Sequence, residues 1–166
     1  MKTLQSEIPA KPVAESMVEM TEMVLPNDAN NFGNILGGKV MHLIDVAGAI
    51  AARRHTRRLV VTAAVDSLAF HSPIKVGDLI VLKASVNRTF KTSLEVGVKV
   101  FSENTQTGQR HHTASAYLTY VALDDRGQPT RIPSVIPETA DQKRRYDEAV
   151  LRRDTRLASC APEANR

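Results

Sequence analysis

The stretch from Val40 to Ala52 is apolar or glycine at every position except His42 and Asp45, and it limits the folds open to this chain. Its pattern predicts a helix from about Gly38 to Arg54. A helix that is apolar on nearly all sides must be covered by other elements on most of them. An isolated buried carboxylate costs several kcal/mol or shifts its pKa, so the position of Asp45 demands an explanation.

Predicted strands on both sides of the helix in the sequence can provide this cover. A strand-like run lies between residues 17 and 25, and the loop "PNDANNFGNILGG" separates it from the helix. After the helix come four segments typical of strands: "LVVTAAVDSLAFHS", "LIVLKASVNRTF", "TSLEVGVKVFSEN" and "HHTASAYLTYVAL". Alternation in the second segment places Ile80, Leu82, Ala84 and Val86 on one face, and in the third it opposes Leu94, Val96, Val98 and Val100 to Glu95 and Lys99.

The chain ends in a charged segment, "PETADQKRRYDEAVLRRDTRL", with Tyr146, Val150 and Leu157 at helical spacing. Because it is mostly charged, this second helix lies on the surface or against a partner subunit. The order of elements predicts an α+β fold in which one antiparallel sheet curls around the long helix. We expect residues 1–14 to be flexible, 15–136 to form the domain, and 137–166 to form the charged helix and tail. A dimer is expected because one sheet leaves helix faces uncovered.

Composition narrows the class of protein. The chain has 166 residues and one cysteine, Cys160, which excludes a disulfide framework and a metal site made of several cysteines. No stretch approaches 18 apolar residues and the N-terminus lacks an apolar core, so we expect no membrane span, no signal peptide and a cytoplasmic location. The net charge of +4 invites nucleic acid, but acids are interspersed in the basic tail and aromatic residues make up only 4%. We expect no nucleic acid, and a phosphate-bearing small molecule is the next candidate.

Residues suited to chemistry gather around the start of the long helix. The adjacent Gly37 and Gly38 leave backbone N–H groups unshielded at the positive end of the helix dipole, where an anion or a developing oxyanion binds. Asn30 precedes them, and Asp45 follows His42 by three residues on roughly the same face. An oxyanion hole, an amide and a carboxylate together suggest acyl chemistry. Two roles stay open for Asp45, catalytic base or structural partner at a dimer interface, and His42 is more often a packed histidine than a base.

The segment "LPNDANNFGNILGGKVMHLIDVAGAIAARRH" resembles the signature of the hot-dog-fold acyl-CoA thioesterases. The matching residues, in order, are Pro26, Asp28, Asn30, Gly33, Gly37, Gly38, Met41, Asp45, Ala52 and His55. The agreement continues through "VTAAVDSLAFHSPIKVGDLI", "RTFKTSLEVGVKV" and "TASAYLTYVALDDRGQP", and it covers the chain from residue 17 to about 157. The resemblance implies a hot-dog fold and an enzyme that hydrolyses acyl-CoA thioesters to free acid and CoA.

The resemblance also implies roles for particular residues. The family's catalytic aspartate and asparagine fall on Asp45 and Asn30, contributed by opposite subunits of a dimer. The corner at Gly37 and Gly38 supplies the N–H that holds the thioester oxygen, and we expect Gly38 to donate it. Asp45 acts as general base on water or attacks the carbonyl itself. Single-domain members commonly assemble as trimers of dimers, so we expect a homohexamer.

Coenzyme A also needs a binding surface for its phosphates. The candidates are Arg88, Lys91, Thr92 and Ser93 near the turn "RTFKTS", with Gly37, His71 and Ser72 as candidates for the wall of the substrate tunnel. For Arg88 and Lys91, a solvated strand end is an equal alternative. We predict no metal, because the thiolate of CoA is a good leaving group, and no cofactor apart from the CoA of substrate and product.

Two other functions stay open. A hot-dog dehydratase pairs a histidine with an acid, and His42 and Asp45 are present, although the dehydratase motif is spaced differently. A non-catalytic acyl-CoA sensor on the same scaffold would carry a DNA-binding domain, for which 14 N-terminal residues are too few.

Overall fold

The computed structural model describes residues 8–160 of the chain. Its strands are β1 (Lys11–Pro12), β2 (Val18–Met23), β3 (Leu59–Phe70), β4 (Leu79–Thr89), β5 (Ser93–Glu103), β6 (Arg110–Leu123) and β7 (Val135–Ile136), and its helices are α1 (Gly37–Thr56) and α2 (Ala140–Ser159). Two 3₁₀ turns, Val13–Ser16 and Pro26–Asp28, complete the elements. Helix α1 extends beyond its predicted bounds at both ends.

Five strands form one antiparallel sheet in the order β2-β4-β5-β6-β3, so β2 and β3 are its edges. β1 and β7 form a separate parallel pair. Helix α1 packs on one face of the large sheet, and α2 packs on the other. The predicted α+β class is confirmed, with a long helix, one five-stranded antiparallel sheet and a C-terminal surface helix.

The face of the sheet toward α1 carries the apolar core. The alternating residues that the sequence placed together are buried there: Ile80, Leu82, Ala84, Val86, Leu94, Val96, Val98 and Val100. Helix α1 meets them with Leu43, Ile44 and Ala47, which belong to the same cluster. Full burial of one large apolar side chain contributes about 1.5–3 kcal/mol, so this layer supplies most of the drive to fold.

Helix α2 covers the opposite face with charged side chains. Arg152 donates hydrogen bonds of 3.0 and 2.7 Å to the two carboxylate oxygens of Glu95, and Asn87 donates a third of 2.9 Å. Arg156 Nη1 lies 2.6 Å from both carboxylate oxygens of Asp66. Glu95 is only 2% exposed although it points away from the apolar core, because α2 buries the outer face of the sheet.

The folded part of the chain begins inside the segment 1–14, which the sequence predicts to be flexible. Strand β1 pairs with β7, and Val13 is buried. Residues 1–7 and 161–166, which hold the rest of the predicted lead-in and tail, lie outside the described residues. The domain boundaries therefore stay a prediction.

Strand β3 is an edge strand with an apolar surface. Leu59, Val61, Val65 and Phe70 are each between 47% and 59% exposed. Such an edge presents unpaired backbone groups beside apolar side chains, and it is a template for pairing with another chain. This edge is where the expected dimer contact best fits.

Candidate active site

The loop before α1 holds the Asn30 side chain in one orientation. Its Oδ1 accepts hydrogen bonds from the backbone N–H of Phe32, at 3.0 Å, and of Asn34, at 3.2 Å. Gly33 closes this turn at φ 75°, in the left-handed region that favours glycine. Because Oδ1 is occupied, the side-chain NH₂ of Asn30 is the group left to donate to a ligand.

Helix α1 begins with two glycines whose backbone N–H groups are free. Within residues 8–160, neither Gly37 nor Gly38 donates a hydrogen bond, whereas the N–H groups of Lys39 and Val40 both donate to the Leu36 carbonyl. The free groups lie at the positive end of the helix dipole. A Cβ on Gly38 would meet nothing within 4 Å, so the approach to this N–H is open.

Several predicted residues share one cleft of about 380 Å³. Its lining includes Asn30, Asn34, Gly37, Val40, Phe70, His71 and Ser72. The Phe70 ring forms one wall and would lie 3.8 Å from a Cβ on Gly37. The His71 N–H donates to the Thr113 carbonyl at 2.7 Å, which fixes the segment behind it. The structure thus brings together the asparagine, the first glycine and the His71–Ser72 wall.

Asp45 lies on the face of α1 toward the start of β3. Thr62 Oγ1 donates to Asp45 Oδ1 at 2.7 Å, and the Tyr120 hydroxyl lies 3.2 Å from that oxygen and 2.9 Å from the Asp45 carbonyl oxygen. Burial, and then the Asp45 carboxylate, raise the pKa of Tyr120 far above its usual range, so the phenol stays a donor. Asp45 Oδ2 accepts no hydrogen bond from any residue between 8 and 160, and it is the oxygen left for chemistry.

Tyr120 reaches Asp45 because Gly48 has no side chain. A Cβ on Gly48 would lie 2.3 Å from the Tyr120 hydroxyl oxygen and 3.1 Å from two ring carbons. The glycine in the middle of α1 therefore permits a close approach of β6, and the approach places a hydroxyl beneath the carboxylate.

Within one chain, the carboxylate and the cleft stand apart. From Gly37 to Asp45 the helix rises by roughly 12 Å, at 1.5 Å per residue. Along β3, Thr62 lies near the first end and Phe70 is the last residue. Within one copy, the structure therefore places the Asp45–Thr62 pair and the cleft near opposite ends of β3.

The other predicted CoA-binding residues lie at the β4–β5 turn. The Arg88 guanidinium lies 3.9 Å from the centre of the Tyr146 ring and donates to the Tyr146 carbonyl at 3.1 Å. Lys91 is exposed, and Thr92 and Ser93 are half-buried. Arg88 therefore anchors α2, and CoA binding by these four residues stays a prediction.

His42 is exposed and has no hydrogen bond to Asp45 in the structure. Among residues 8–160, no group of three or more His, Cys, Asp or Glu side chains could hold a metal ion. In the same range, no helix is long and apolar enough to cross a membrane.

Sequence reasoning missed Thr62, Tyr120 and Gly48. Thr62 and Tyr120 are ordinary strand residues, and they meet Asp45 across 17 and 75 positions of sequence. The one available signal was Gly48, because a glycine inside a strongly helical pattern usually has a packing reason.

Comparison with known proteins gives consistent results. The family model for the thioesterase superfamily matches residues 32–109. The Bacillus subtilis protein YkhA, named an uncharacterized acyl-CoA thioester hydrolase, is 42% identical over 86% of this chain and 83% of its own length. A hexameric acyl-CoA thioesterase, solved in its apo form, is 42% identical and covers 93% of this chain and 99% of its own, with a TM-score of 0.90.

The acyl-CoA hydrolase of Staphylococcus aureus, solved with butyryl-CoA and CoA, is 38% identical over 91% of this chain and 92% of its own, with a TM-score of 0.86. Structures of this enzyme with one aspartate, one threonine or one asparagine replaced by alanine have the same fold. Identity at this level over most of both chains shows the family. The chain belongs to the hot-dog acyl-CoA thioesterases of the thioesterase superfamily.

Proposed function

We propose that this chain hydrolyses acyl-CoA thioesters to free acid and CoA at a site shared by two copies of the chain. The observation that carries the proposal is the pair of half-sites at the two ends of β3. One holds Asp45 with Thr62, and the other is the cleft lined by Asn30 and Gly37, beside which the Gly38 N–H is free. Each half-site lacks what the other supplies.

Pairing of β3 with the β3 of a second copy would join the half-sites. Two identical edges that pair antiparallel are related by a two-fold axis, so the start of one strand lies beside the end of the other. Thr62 and Asp45 of one copy then face the cleft of its partner. The pairing would also cover the exposed Val61 and Val65. We propose a dimer as the minimal unit and a trimer of dimers as the assembly, in keeping with the hexameric relative.

The donors at the start of α1 would hold the thioester oxygen. The N–H of Gly38 points along the helix axis with the positive end of the dipole behind it, and the Asn30 NH₂ is the second donor. As the carbonyl carbon becomes tetrahedral, its oxygen gains negative charge that both donors stabilise. Loss of one such donor typically lowers the rate by ~10²–10³.

Asp45 would either activate a water molecule as the nucleophile or act as the nucleophile itself. As a general base, its Oδ2 takes a proton from water while the water oxygen bonds to the carbonyl carbon and the C–S bond breaks to release the CoA thiolate. As a nucleophile, Oδ2 itself bonds to that carbon, the C–S bond breaks to release the CoA thiolate, and water then hydrolyses the mixed anhydride to the free acid and the Asp45 carboxylate. In either route, Thr62 and Tyr120 hold the carboxylate in place. We also propose that the protein is cytoplasmic.

The first experiment measures thiol release from acyl-CoAs of short to long chain, with the wild type beside Asp45→Ala. We expect hydrolysis by the wild type and its loss in the variant, with the oligomer unchanged by light scattering. Tight acyl-CoA binding without hydrolysis of any chain length would instead indicate an acyl-CoA sensor.

The second experiment tests the division of the site. Inactive Asp45→Ala and Asn30→Ala chains are unfolded together, refolded as a mixture and assayed. A site shared across the dimer leaves each mixed dimer one intact site, so about a quarter of wild-type activity should return with equal mixing. If both residues acted within one copy, no activity would return. Each variant refolded alone is the control.

A further inference from the structure

We propose that a cavity at the C-terminal end of α1 binds the phosphates of the nucleotide part of the acyl-CoA. This inference rests on the proposed function and adds the position of the charged end of its substrate. The cavity measures about 570 Å³ and lies between the end of α1, the start of β3 and the end of β6. It is lined by Ile50, Arg53, Arg54, Arg57, Arg58, Leu59, Leu123, Asp124 and Asp125.

Three of its four arginines have no partner of their own. Within residues 8–160, the guanidinium groups of Arg53, Arg57 and Arg58 form no ion pair and no hydrogen bond, and that of Arg54 donates to the Met17 carbonyl. On α2, by contrast, four of the five arginines (Arg144, Arg145, Arg152 and Arg156) are paired with carboxylates. Free guanidinium groups around a cavity are suited to phosphate, which they bind with two parallel hydrogen bonds.

The acids of the cavity do not neutralise these arginines. Asp124 Oδ1 accepts hydrogen bonds from the backbone N–H groups of Arg126 and Gln128, at 2.8 and 2.9 Å, and so stabilises the turn that follows β6. Four arginines against two aspartates leave the lining with an excess of positive charge. The excess exceeds the partial negative charge, about half an elementary charge, at the end of a helix.

Arg57 occupies a backbone position where glycine is usual. It follows the last residue of α1 with φ 53° and is the only non-glycine residue of the described chain with a positive φ. At this position glycine avoids a steric conflict that any other residue incurs. Arginine at this position belongs to the lining of the cavity.

The distance from the proposed catalytic carboxylate fits the substrate. Along α1, Arg53 and Arg57 lie roughly 12 and 18 Å beyond Asp45. The pantetheine arm of CoA has a chain about as long as five residues and so spans up to roughly 17 Å when extended. Ile50, Leu59 and Leu123 give the cavity an apolar floor on which an adenine ring can pack.

The test compares Arg53→Gln, Arg58→Gln and Arg57→Gly with the wild type. Each is assayed with acyl-CoA and with the matching S-acyl pantetheine, which lacks the nucleotide. We expect KM for acyl-CoA to rise about tenfold for each arginine, with kcat unchanged, because a charge-assisted hydrogen bond is lost. KM for acyl-pantetheine should not change. Arg57→Gly relieves the backbone, so a folding defect would not account for its effect.

The control is Arg144→Gln, which removes the same charge from the exposed side of α2 and should change neither KM. Adenosine 3′,5′-bisphosphate should inhibit the wild type competitively against acyl-CoA, and it should inhibit the arginine variants about tenfold more weakly. Non-competitive inhibition or activation would mean that the cavity holds a free nucleotide, and it would overturn the inference.

The outcomes separate this inference from the proposed function. If the wild type hydrolyses neither substrate, both fail. If it hydrolyses both and the arginine variants keep the wild-type KM for acyl-CoA, only the present inference fails. If light scattering shows that the variants fall into smaller assemblies, the arginines hold an interface between copies, and the inference is again wrong.

Discussion

Two helices of equal length lie on opposite faces of the same sheet, and they are held there by different forces. Helix α1 buries Val40, Leu43, Ile44 and several alanines, and its contacts with the sheet are almost entirely apolar. Helix α2 buries only Ala149 among its own residues. Arg152 and Arg156 attach it by ion pairs to buried or nearly buried carboxylates of the sheet.

The two kinds of contact distribute the stability of the two helices differently. Apolar packing spreads stability over many small contacts, so α1 tolerates the loss of any one of them and can carry Asp45 and two free glycines. Charged docking places the stability of α2 in a few contacts, because each buried carboxylate depends on one arginine. Mutations on the two faces should therefore differ in effect, and the largest loss is expected on the α2 side.

Removal of Arg152 should be the most damaging change. Arg152→Ala leaves Glu95 charged, buried and without its ion pair, which costs about 3–5 kcal/mol of unfolding free energy. Denaturant unfolding measures the loss. Glu95→Gln in the same chain should recover much of it, because the amide carries no charge. Arg153→Ala, which removes only a contact with the Phe90 ring, is the matched control and should cost about 1 kcal/mol or less. Equal losses for the two arginines would contradict the contrast.

On the α1 side, one added methyl group should disturb the packing of the helix on the sheet. Gly48→Ala drives a Cβ into the Tyr120 hydroxyl and should cost about 1–3 kcal/mol through overpacking. It should also lower kcat, because Tyr120 supports Asp45. The double variant with Tyr120→Phe removes the nearest clashing atom and should regain stability without regaining full activity. Wild-type stability in Gly48→Ala would show that the two elements are less closely packed than the structure has them.

Acid should weaken the α1 side through His55. Its Nε2–H donates to the Pro133 carbonyl at 2.9 Å, its Nδ1 is the one buried side-chain nitrogen or oxygen without a partner among the described residues, and burial lowers its pKa. The unfolded chain binds a proton near pH 6.5 and the folded chain only at lower pH. Stability should therefore fall as pH drops below 6.5, by up to about 1.4 kcal/mol for each unit by which folding lowers the pKa.

Urea unfolding between pH 5 and 7.5 measures this dependence. The variant His55→Gln should flatten the curve in that window, at some cost in stability at neutral pH. If the unfolding free energy of His55→Gln fell as steeply with pH as that of the wild type, the acid sensitivity would belong to other groups.

The smallest effect is expected on the solvent side of α2. Arg144 pairs with Asp141 and Glu148, all three well exposed, and such surface pairs contribute little because water and salt screen them. Arg144→Gln should leave the unfolding free energy unchanged within error at ordinary salt. A clear loss would show that α2 depends on its exposed charges as well as on its buried ones.

Features that depend on the local periodicity of the sequence, such as which strand residues share a face, could be predicted. Contacts between residues far apart in the sequence could not. Alternation fixes which residues of a strand share a face, so the burial of Ile80 and Val96 followed from the pattern. It does not say what covers the second face, and Glu95 therefore looked like an ordinary outward residue. The role of Thr62 was missed for the same reason, because a threonine in a strand is common and its partner Asp45 comes from another element.

The exposed edge of β3 has a consequence for enzyme kinetics. If each copy carries half of the site, a copy on its own folds around α1 but cannot complete a turnover. At concentrations where the copies separate, the rate would then follow the square of the protein concentration, so halving the enzyme should lower the rate about fourfold instead of twofold. The abundance of the protein would itself control how fast each molecule works.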